Sequence, residues 1–304
     1  MNRRKSIQLL AALPIAPCFA SEAKPFSLRY VLASALYGEM PLSEILPEVA
    51  ATDCESIDIW RRVHGNQREQ IQEMGDEAFA ALLKKQGARL GVSTCYPLGP
   101  YGLSDEIAWV KKFGGEVVLT GTGKNGPPEP TGAEAKRQVA AFLEKMKPHV
   151  AVAEQHGITI ALENHAKDML YHPDSLRYFA ELNRSPRLGI AFAPHHLHAF
   201  SAEIPALIRD LGKANLPFVY FQEHSPGMFQ KSAKEVEMQQ LPGFGGGLDY
   251  VPIVRALKEI RFSGLAEIFM HPVPRGIPIL PTIPEIRAAL KKARAYVDQC
   301  LAKL

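Results

Sequence analysis

The chain has 304 residues, of which 46% are hydrophobic and 22% are charged. This composition is typical of a globular protein that is long enough to bury a large core. The net charge is only +3, with acidic and basic residues interspersed, so neither a nucleic acid nor a membrane is indicated as a partner. One α/β barrel of about 250 residues behind a leader fits this length better than two domains.

Residues 1–20 have the pattern of an export signal. A basic start at Arg3, Arg4 and Lys5 precedes a short apolar run that reaches the small residue Ala20. The run is too short and too interrupted by proline to span a membrane. The arginine pair is similar to a twin-arginine signal, which exports a folded protein. We therefore expect a periplasmic or extracellular protein with one catalytic domain at 27–304; a cytosolic protein is the alternative.

After residue 26, short apolar runs alternate with amphipathic runs of helical period. The predicted strands are 29–35, 56–61, 89–95, 116–121, 158–163, 188–193, 218–222 and 264–270. Eight strand–helix units in strict alternation indicate parallel strands. The count of eight favours a closed (β/α)8 TIM barrel over an open sheet.

The last four predicted strands carry side chains of metal-binding type at or near their ends. The residues concerned are Glu163 and His165, then His195, His196 and His198, then Gln222 and His224, and finally Glu267 and His271. Burying such groups is costly unless they pair or bind a metal. Because the carboxyl ends of barrel strands meet at one mouth, we expect these groups to share a single metal site.

Side-chain alternation narrows the choice of ligands. If the sixth strand continues past Pro194, His196 faces the opposite way from His195, which favours His196 as the ligand. On the seventh strand Gln222 and His224 share a face, and we expect one of them to bind metal and the other substrate. The predicted ligands of one divalent ion, Mn²⁺, Co²⁺, Zn²⁺ or Mg²⁺, are Glu163, His196, Gln222, His224 and Glu267.

This ligand set predicts enolisation of a hydroxy-carbonyl compound. A divalent ion grips adjacent oxygens of a hydroxy-carbonyl compound and stabilises an enediolate. Glu163 and Glu267 are expected to move the proton, with His165 beside them; a salt bridge inside the barrel is the alternative for Glu267. The predicted substrate contacts are Trp60, Arg61, His271 and Arg275. The sequence leaves the oligomeric state open, and a homo-oligomer is compatible with it.

One connection is unusually long, from residue 225 to residue 248, and contains Gly243, Gly245, Gly246 and Gly247. Long loops in compact domains are often lids or binding loops, and glycines let the backbone approach a ligand closely. A flexible surface loop is the alternative.

Residues 27–300 resemble the sugar phosphate isomerase/epimerase superfamily, the xylose-isomerase-like barrels. The resemblance is carried by Ala-Leu-Glu163-Asn-His165, by Leu-Pro242-Gly-Phe-Gly-Gly-Gly-Leu-Asp249, by Gln222-Glu-His224 and by Ala-Glu267-Ile-Phe-Met-His-Pro272. It implies one divalent metal held by Glu, Asp, His and Glu from strands five to eight, with Glu163 and Glu267 as the metal-bound, often catalytic pair. This chain has Ala193 where the resemblance places the aspartate. Either His196 takes its place, or the metal is bound weakly or differently.

The resemblance implies a sugar isomerase or epimerase. Exported relatives are similar to enzymes that act on 3-keto-glycosides by proton abstraction and β-elimination, so a lyase is a second form of the same chemistry. A non-catalytic sugar-binding barrel is the alternative that Ala193 favours. A nuclease similar to endonuclease IV is disfavoured, since such barrels hold three metals with many more ligands and a basic face.

Overall fold

The computed structural model describes residues 26–123 and 127–304. In it eight parallel strands form a closed barrel in which each strand pairs with the next in sequence and β8 pairs with β1. The strands are β1 Arg29–Ala33, β2 Ser56–Trp60, β3 Leu90–Thr94, β4 Val117–Thr120, β5 Thr159–Glu163, β6 Leu188–Phe192, β7 Phe218–Phe221 and β8 Leu265–Ile268. The predicted TIM barrel is confirmed. The predicted export signal lies outside the described residues.

Helices surround the barrel on its outer side. They are α1 Leu42–Ala51, α2 Gln67–Met74, α3 Asp76–Gln86, α4 Ser104–Lys112, α5 Gly132–His156, α6 Pro173–Leu182, α7 Ile204–Asn215, α8 Lys234–Met238, α9 Tyr250–Glu259 and α10 Ile283–Ala302. Sequence periodicity did not predict α2, because its residues are almost all polar and Ile71 is its one fully buried apolar side chain. Across 26–123 and 127–304, no helix combines the length and the apolar character needed to cross a membrane.

The strands are buried on both sides, which explains why they read as continuous apolar runs. The long helix α5 ends at Gly157, whose φ of 68° is the left-handed conformation that glycine adopts at little cost. The chain then enters β5 directly. This short connection delivers Glu163 to the carboxyl end of the barrel.

Short 3-10 helices follow four strands on that same end. They are Ser34–Leu36, Tyr96–Leu98, Pro194–Glu203 and Pro226–Met228. Each begins within five residues of its strand's end and turns the chain across the barrel mouth. The third of these helices changes the directions expected for the histidines after β6.

The glycine-rich connection packs on a buried carboxylate. Glu223, 2% exposed, accepts hydrogen bonds from the backbone N–H of Gly243 at 3.1 Å and of Leu248 at 3.2 Å. A Cβ at Gly246 would lie 2.3 Å from the Gln239 carbonyl oxygen and 2.5 Å from Glu223 Oε2. The glycines therefore serve the close approach of backbone to Glu223. Backbone amides therefore satisfy this buried carboxylate.

We expect Gly246→Ala to lower the free energy of unfolding by about 1–3 kcal/mol, since the methyl group overlaps a backbone carbonyl that cannot move freely. Urea unfolding measures the change. Gly121→Ala is the control, because the nearest atoms to its added Cβ are 3.7 and 3.9 Å away. Equal shifts in the two midpoints would contradict this account of the loop.

Candidate active site

A cavity of about 290 Å³ opens at the carboxyl ends of the strands. Of the side chains predicted for the site, it is lined by Glu163, His165, His196, His271 and Arg275. Four further residues line it that sequence reasoning missed, namely His64, Tyr96, Met228 and Phe229. His64 and Tyr96 follow β2 and β3, so the first half of the barrel contributes to the site as well as the second.

Three side chains at the cavity are arranged to hold a metal ion. Donor atoms of Glu163, His195 and His196 all lie within 4.8 Å of one another. His196 Nε2 is 3.6 Å from Glu163 Oε1, and tetrahedral ligands about 2.1 Å from a zinc ion lie about 3.4 Å apart. Both ring nitrogens of His195 and Nε2 of His196 are buried without a hydrogen-bond partner. Two imidazoles and one carboxylate are a common catalytic zinc set, so these residues fit a divalent ion.

The place of His195 in this group corrects the alternation argument. The strand β6 ends at Phe192, and a 3-10 helix begins at Pro194, so side chains no longer alternate there. The rings of His195 and His196 lie together, with centroids 4.1 Å apart. His198 is exposed instead, and its ring stacks on His224 at 4.2 Å.

Glu267 belongs to a different cluster inside the barrel. It is fully buried and lies outside the group formed by Glu163, His195 and His196. It faces Asp58 of β2. Asp58 also accepts a hydrogen bond from Thr94 Oγ1 at 2.6 Å. When both carboxylates are ionised, neither can donate a hydrogen bond to the other. Both oxygens of Glu267 lack a hydrogen bond. Burial first, and the charge of Asp58 second, raise the pKa of Glu267 well above its usual range. Burial raises the pKa of Asp58 to about 7.

Asp58 was missed by sequence reasoning although the signal was present. It is the one acid in the buried strand Ser-Ile-Asp-Ile-Trp, as Glu267 is in β8. The two strands flank β1 in the closed barrel, and this closure places their carboxyl groups face to face.

The two candidates after β7 lie outside the group formed by Glu163, His195 and His196. Gln222 is fully buried and donates from Nε2 to Gln240 Oε1 at 3.1 Å. The Gln240 amide in turn bonds both backbone groups of His271, at 2.8 and 2.9 Å. Gln222 therefore ties the end of β7 to the residue after β8, while His224 lies half-buried on the rim.

Trp60 and Arg61 are structural in this fold. Trp60 is 1% exposed, and its ring stacks on Phe269 with centroids 4.6 Å apart, so this face is closed to a sugar. Arg61 forms an ion pair with Glu106 at 2.6 Å, and Arg68 binds the other Glu106 oxygen at 2.9 Å. Neither residue is among the side chains that line the cavity, although His64, which follows them, is.

Two neighbours orient the metal-compatible group. Tyr96 Oη donates to Glu163 Oε2 at 2.6 Å. The Asn164 side chain donates to the Ala193 carbonyl at 3.0 Å and accepts from the Ala193 N–H at 2.7 Å. This pair of bonds joins the end of β5 to the start of the helix that carries His195. Such outer partners set ligand orientation in metal sites.

The charge states of the group suit a metal. Burial acts to raise the pKa of Glu163, but His196, His165 and Tyr96 outweigh it and hold the pKa below its usual value. Burial lowers the pKa of His196 and takes that of His195 well below its usual value. The lowering of the Glu163 pKa depends in part on a positive charge on His196. Burial opposes that charge and keeps the His196 imidazole neutral. At neutral pH the pair is therefore carboxylate and neutral imidazole, the forms that bind metals.

Two further histidines at the cavity, His64 and His271, are also neutral at physiological pH. Burial lowers the pKa of His64 to about 4 and takes the pKa of His271 well below its usual value; the nearby Arg275 adds to both shifts. Their rings are 5.0 Å apart.

The sequence profile of the xylose isomerase-like TIM barrel family matches residues 46–296, and the chain belongs to that family. Among solved structures, the zinc-bound IolI protein superposes with a TM-score of 0.67 at 16% identity, over 91% of this chain and 99% of that one. L-ribulose 3-epimerase gives 0.64 at 16% identity, over 91% and 95%. D-psicose 3-epimerase from Clostridium cellulolyticum H10, solved with D-tagatose, gives 0.67 at 13% identity, over 90% and 99%. These likenesses establish a shared fold. No curated protein matches the sequence.

We expect His195→Asn to weaken divalent-metal binding, because it removes a ligand. The loss of affinity should exceed the value of about 10–100-fold that is typical when a residue that only orients a ligand is changed. Zinc titration of the metal-stripped protein by calorimetry measures this. His198→Asn is the matched control, since that ring is exposed on the rim and should leave the affinity unchanged. An unchanged affinity in His195→Asn would restore the alternation argument, in which His195 faces away from the metal, and similar losses in both variants would contradict the assignment of His195.

The buried acid pair makes stability depend on pH. Because the pKa of Asp58 is raised from about 3.9 unfolded to about 7 folded, the folded state binds more protons between these values. Its stabilising contribution is complete below about pH 4 and is lost as the pH rises to about 7, by at most about 4 kcal/mol. Urea unfolding from pH 4 to pH 8 tests this. Because burial also raises the pKa of Glu267, the double variant Asp58→Asn/Glu267→Gln should flatten the profile, and an unchanged slope in that variant would reject the assignment.

Proposed function

We propose that this protein is a divalent-metal-dependent enzyme of the sugar isomerase/epimerase type, which removes a proton from the carbon beside a carbonyl. The observation that carries the proposal is the buried Glu163 carboxylate, held by Tyr96 in a cavity beside two unpartnered imidazoles. Solved proteins of the same fold include sugar epimerases and a zinc-bound barrel, which supports a carbohydrate substrate and a metal.

The metal site of the proposal is Glu163, His195 and His196, with substrate completing the coordination. A divalent ion in this position would polarise a sugar carbonyl and stabilise the negative charge that develops on it. Tyr96 and the bonds between Asn164 and Ala193 keep the ligands in place. The neutral His64 and His271 line the wall and are available to hydrogen-bond sugar hydroxyl groups.

Glu163 is the proposed base. A carboxylate has about four acceptor positions, so an oxygen that accepts from Tyr96 keeps a position for a proton. The low pKa of Glu163 means that it is ionised before substrate arrives. Proton transfer by a positioned carboxylate contributes roughly 10²–10⁴-fold to a rate. His165, whose ring lies 3.9 Å from that of His196, is at the cavity edge and is the proposed proton relay.

The position of Glu267 favours a one-base reaction. Among the described residues that line the cavity, Glu163 is the single carboxylate. Epimerisation needs a proton removed on one face and returned on the other, which two flanking carboxylates would supply. One carboxylate suffices for isomerisation between adjacent carbons and for β-elimination. In elimination from a 3-keto-glycoside, the base takes the proton beside the ketone, a double bond forms, and the glycosidic oxygen leaves as an alcohol.

The first test is proton exchange in D2O with the metal-loaded protein. Free ketoses and 3-keto-glycosides are incubated with it and followed by NMR for deuterium at the carbon beside the carbonyl, and for release of the alcohol. We expect exchange with at least one class, and a rate about 10²–10⁴-fold lower in Glu163→Gln.

The control for this experiment is Glu267→Gln, because a buried protonated acid is replaced by a neutral group of the same shape. It should retain metal and most of the exchange rate. Wild-type exchange rates in Glu163→Gln would overturn the proposal. Sugar binding without exchange in any substrate would favour the non-catalytic sugar-binding barrel.

A further inference from the structure

The outer wall of the cavity ends in an exposed aromatic ring. Met228 and Phe229 line the same cavity as Glu163, and they follow β7 in the chain. Met228 is 2% exposed, whereas the Phe229 side chain is 67% exposed. Fully burying a phenyl ring stabilises a protein by roughly 1.5–3 kcal/mol, so this ring stands in water at a cost. Any molecule that extends out of the cavity on this side meets it.

The backbone that carries Phe229 is firmly anchored. Ser225 Oγ donates to the Val236 carbonyl at 2.6 Å, and Arg275 donates to the Met228 carbonyl at 2.9 Å. A Cβ at Gly227 would lie 2.7 Å from Glu237 Cα, so the turn is packed directly on α8. The ring is therefore presented by a fixed turn. Preorganised aromatic side chains bind with little loss of conformational entropy.

Phe229 is the first member of a row of rings on the rim. Its centroid lies 5.7 Å from that of His224, which stacks on His198 at 4.2 Å with an interplanar angle of 13°. We call Phe229, His224 and His198 the aromatic shelf. It is continuous with the cavity through Phe229. Trp60, predicted as a substrate contact, is covered by Phe269 and offers no open face, whereas the ring of Phe229 is exposed.

The volume of the cavity limits how much of a substrate it can hold. At about 290 Å³ it lies just below the range of about 300–1,000 Å³ that is typical for sites of drug-sized ligands. One sugar ring near Glu163 would occupy much of this space, so a second ring attached to that sugar has to lie outside, against Phe229.

We propose that the aromatic shelf is a subsite for a second ring joined to the sugar in the cavity. The substrate is then a glycoside, with a sugar or aryl group as its second ring, and not a free monosaccharide. The shared chemistry is a flat face of C–H or π character that packs on Phe229. The identity of the cavity-bound sugar rests on the proposed function, whereas the subsite rests on the exposed ring and its continuity with the cavity.

The test measures binding by calorimetry to the full-length, zinc-loaded protein. The probes are methyl β-glucoside, phenyl β-glucoside and cellobiose, which share one sugar and differ in the attached group. We expect phenyl β-glucoside, cellobiose or both to bind about tenfold more tightly than the methyl compound, as one aromatic contact provides. Phe229→Ala should abolish this advantage, and Phe229→Trp should retain it.

Met74→Ala is the control, since that side chain is also apolar and exposed but lies at the end of α2. Equal affinities for all three probes in the wild type, or an advantage that survives Phe229→Ala, would overturn the subsite. If Phe229→Ala removes the advantage of phenyl β-glucoside alone, the second ring is an aryl group. If it removes the advantage of cellobiose alone, the second ring is a sugar.

The two proposals fail separately. If no sugar undergoes proton exchange but the two-ring probes still depend on Phe229, the subsite stands and the proposed function falls. If free ketoses exchange at a rate that Phe229→Ala leaves unchanged, and the probes bind equally, the function stands and the subsite falls.

Discussion

The two hydrogen bonds between Asn164 and Ala193 are the contact on which the site depends. They join the residue after Glu163 to the residue before the 3-10 helix that carries His195 and His196. Because an amide side chain satisfies both the N–H and the C=O of one residue, the two strand ends have a single relative position. The carboxylate and the imidazoles then converge. The resemblance places an aspartate ligand at position 193, and here its backbone holds the site instead.

The buried acidic residues of the barrel differ in the groups that surround them. Tyr96 donates a hydrogen bond to Glu163, whose pKa lies below its usual value, whereas burial and then the charge of Asp58 raise the pKa of Glu267 well above its usual range. Glu223 is satisfied by backbone amides of the glycine-rich segment. Each carboxylate is buried, yet the groups within hydrogen-bonding distance give each a different chemical state. The carboxylate at the mouth, the proposed base, thus has a different chemical state from the acid pair inside the barrel.

The rim and the cavity floor contribute different properties. Floor residues are polar, buried and fixed by hydrogen bonds, as with Gln222 and Gln240 beneath His271. The rim is aromatic and exposed at Phe229, and Arg275 anchors the turn that carries it. Under the two proposals, chemistry and substrate selection belong to separate segments, which is the arrangement that lets barrel enzymes of one fold take different substrates.

The sequence by itself determined the barrel and the general place of the site. Eight alternating apolar and amphipathic runs specify parallel strands, and polar residues at strand ends must lie at the mouth, since periodicity and burial are local properties. Only the tertiary structure decided which side chains meet. Alternation failed at Pro194 because a 3-10 helix begins there, so His195 joined the group and His198 left it. Asp58 and Glu267 face each other because the closed barrel brings β2 and β8 to either side of β1. No local sequence pattern encodes this juxtaposition.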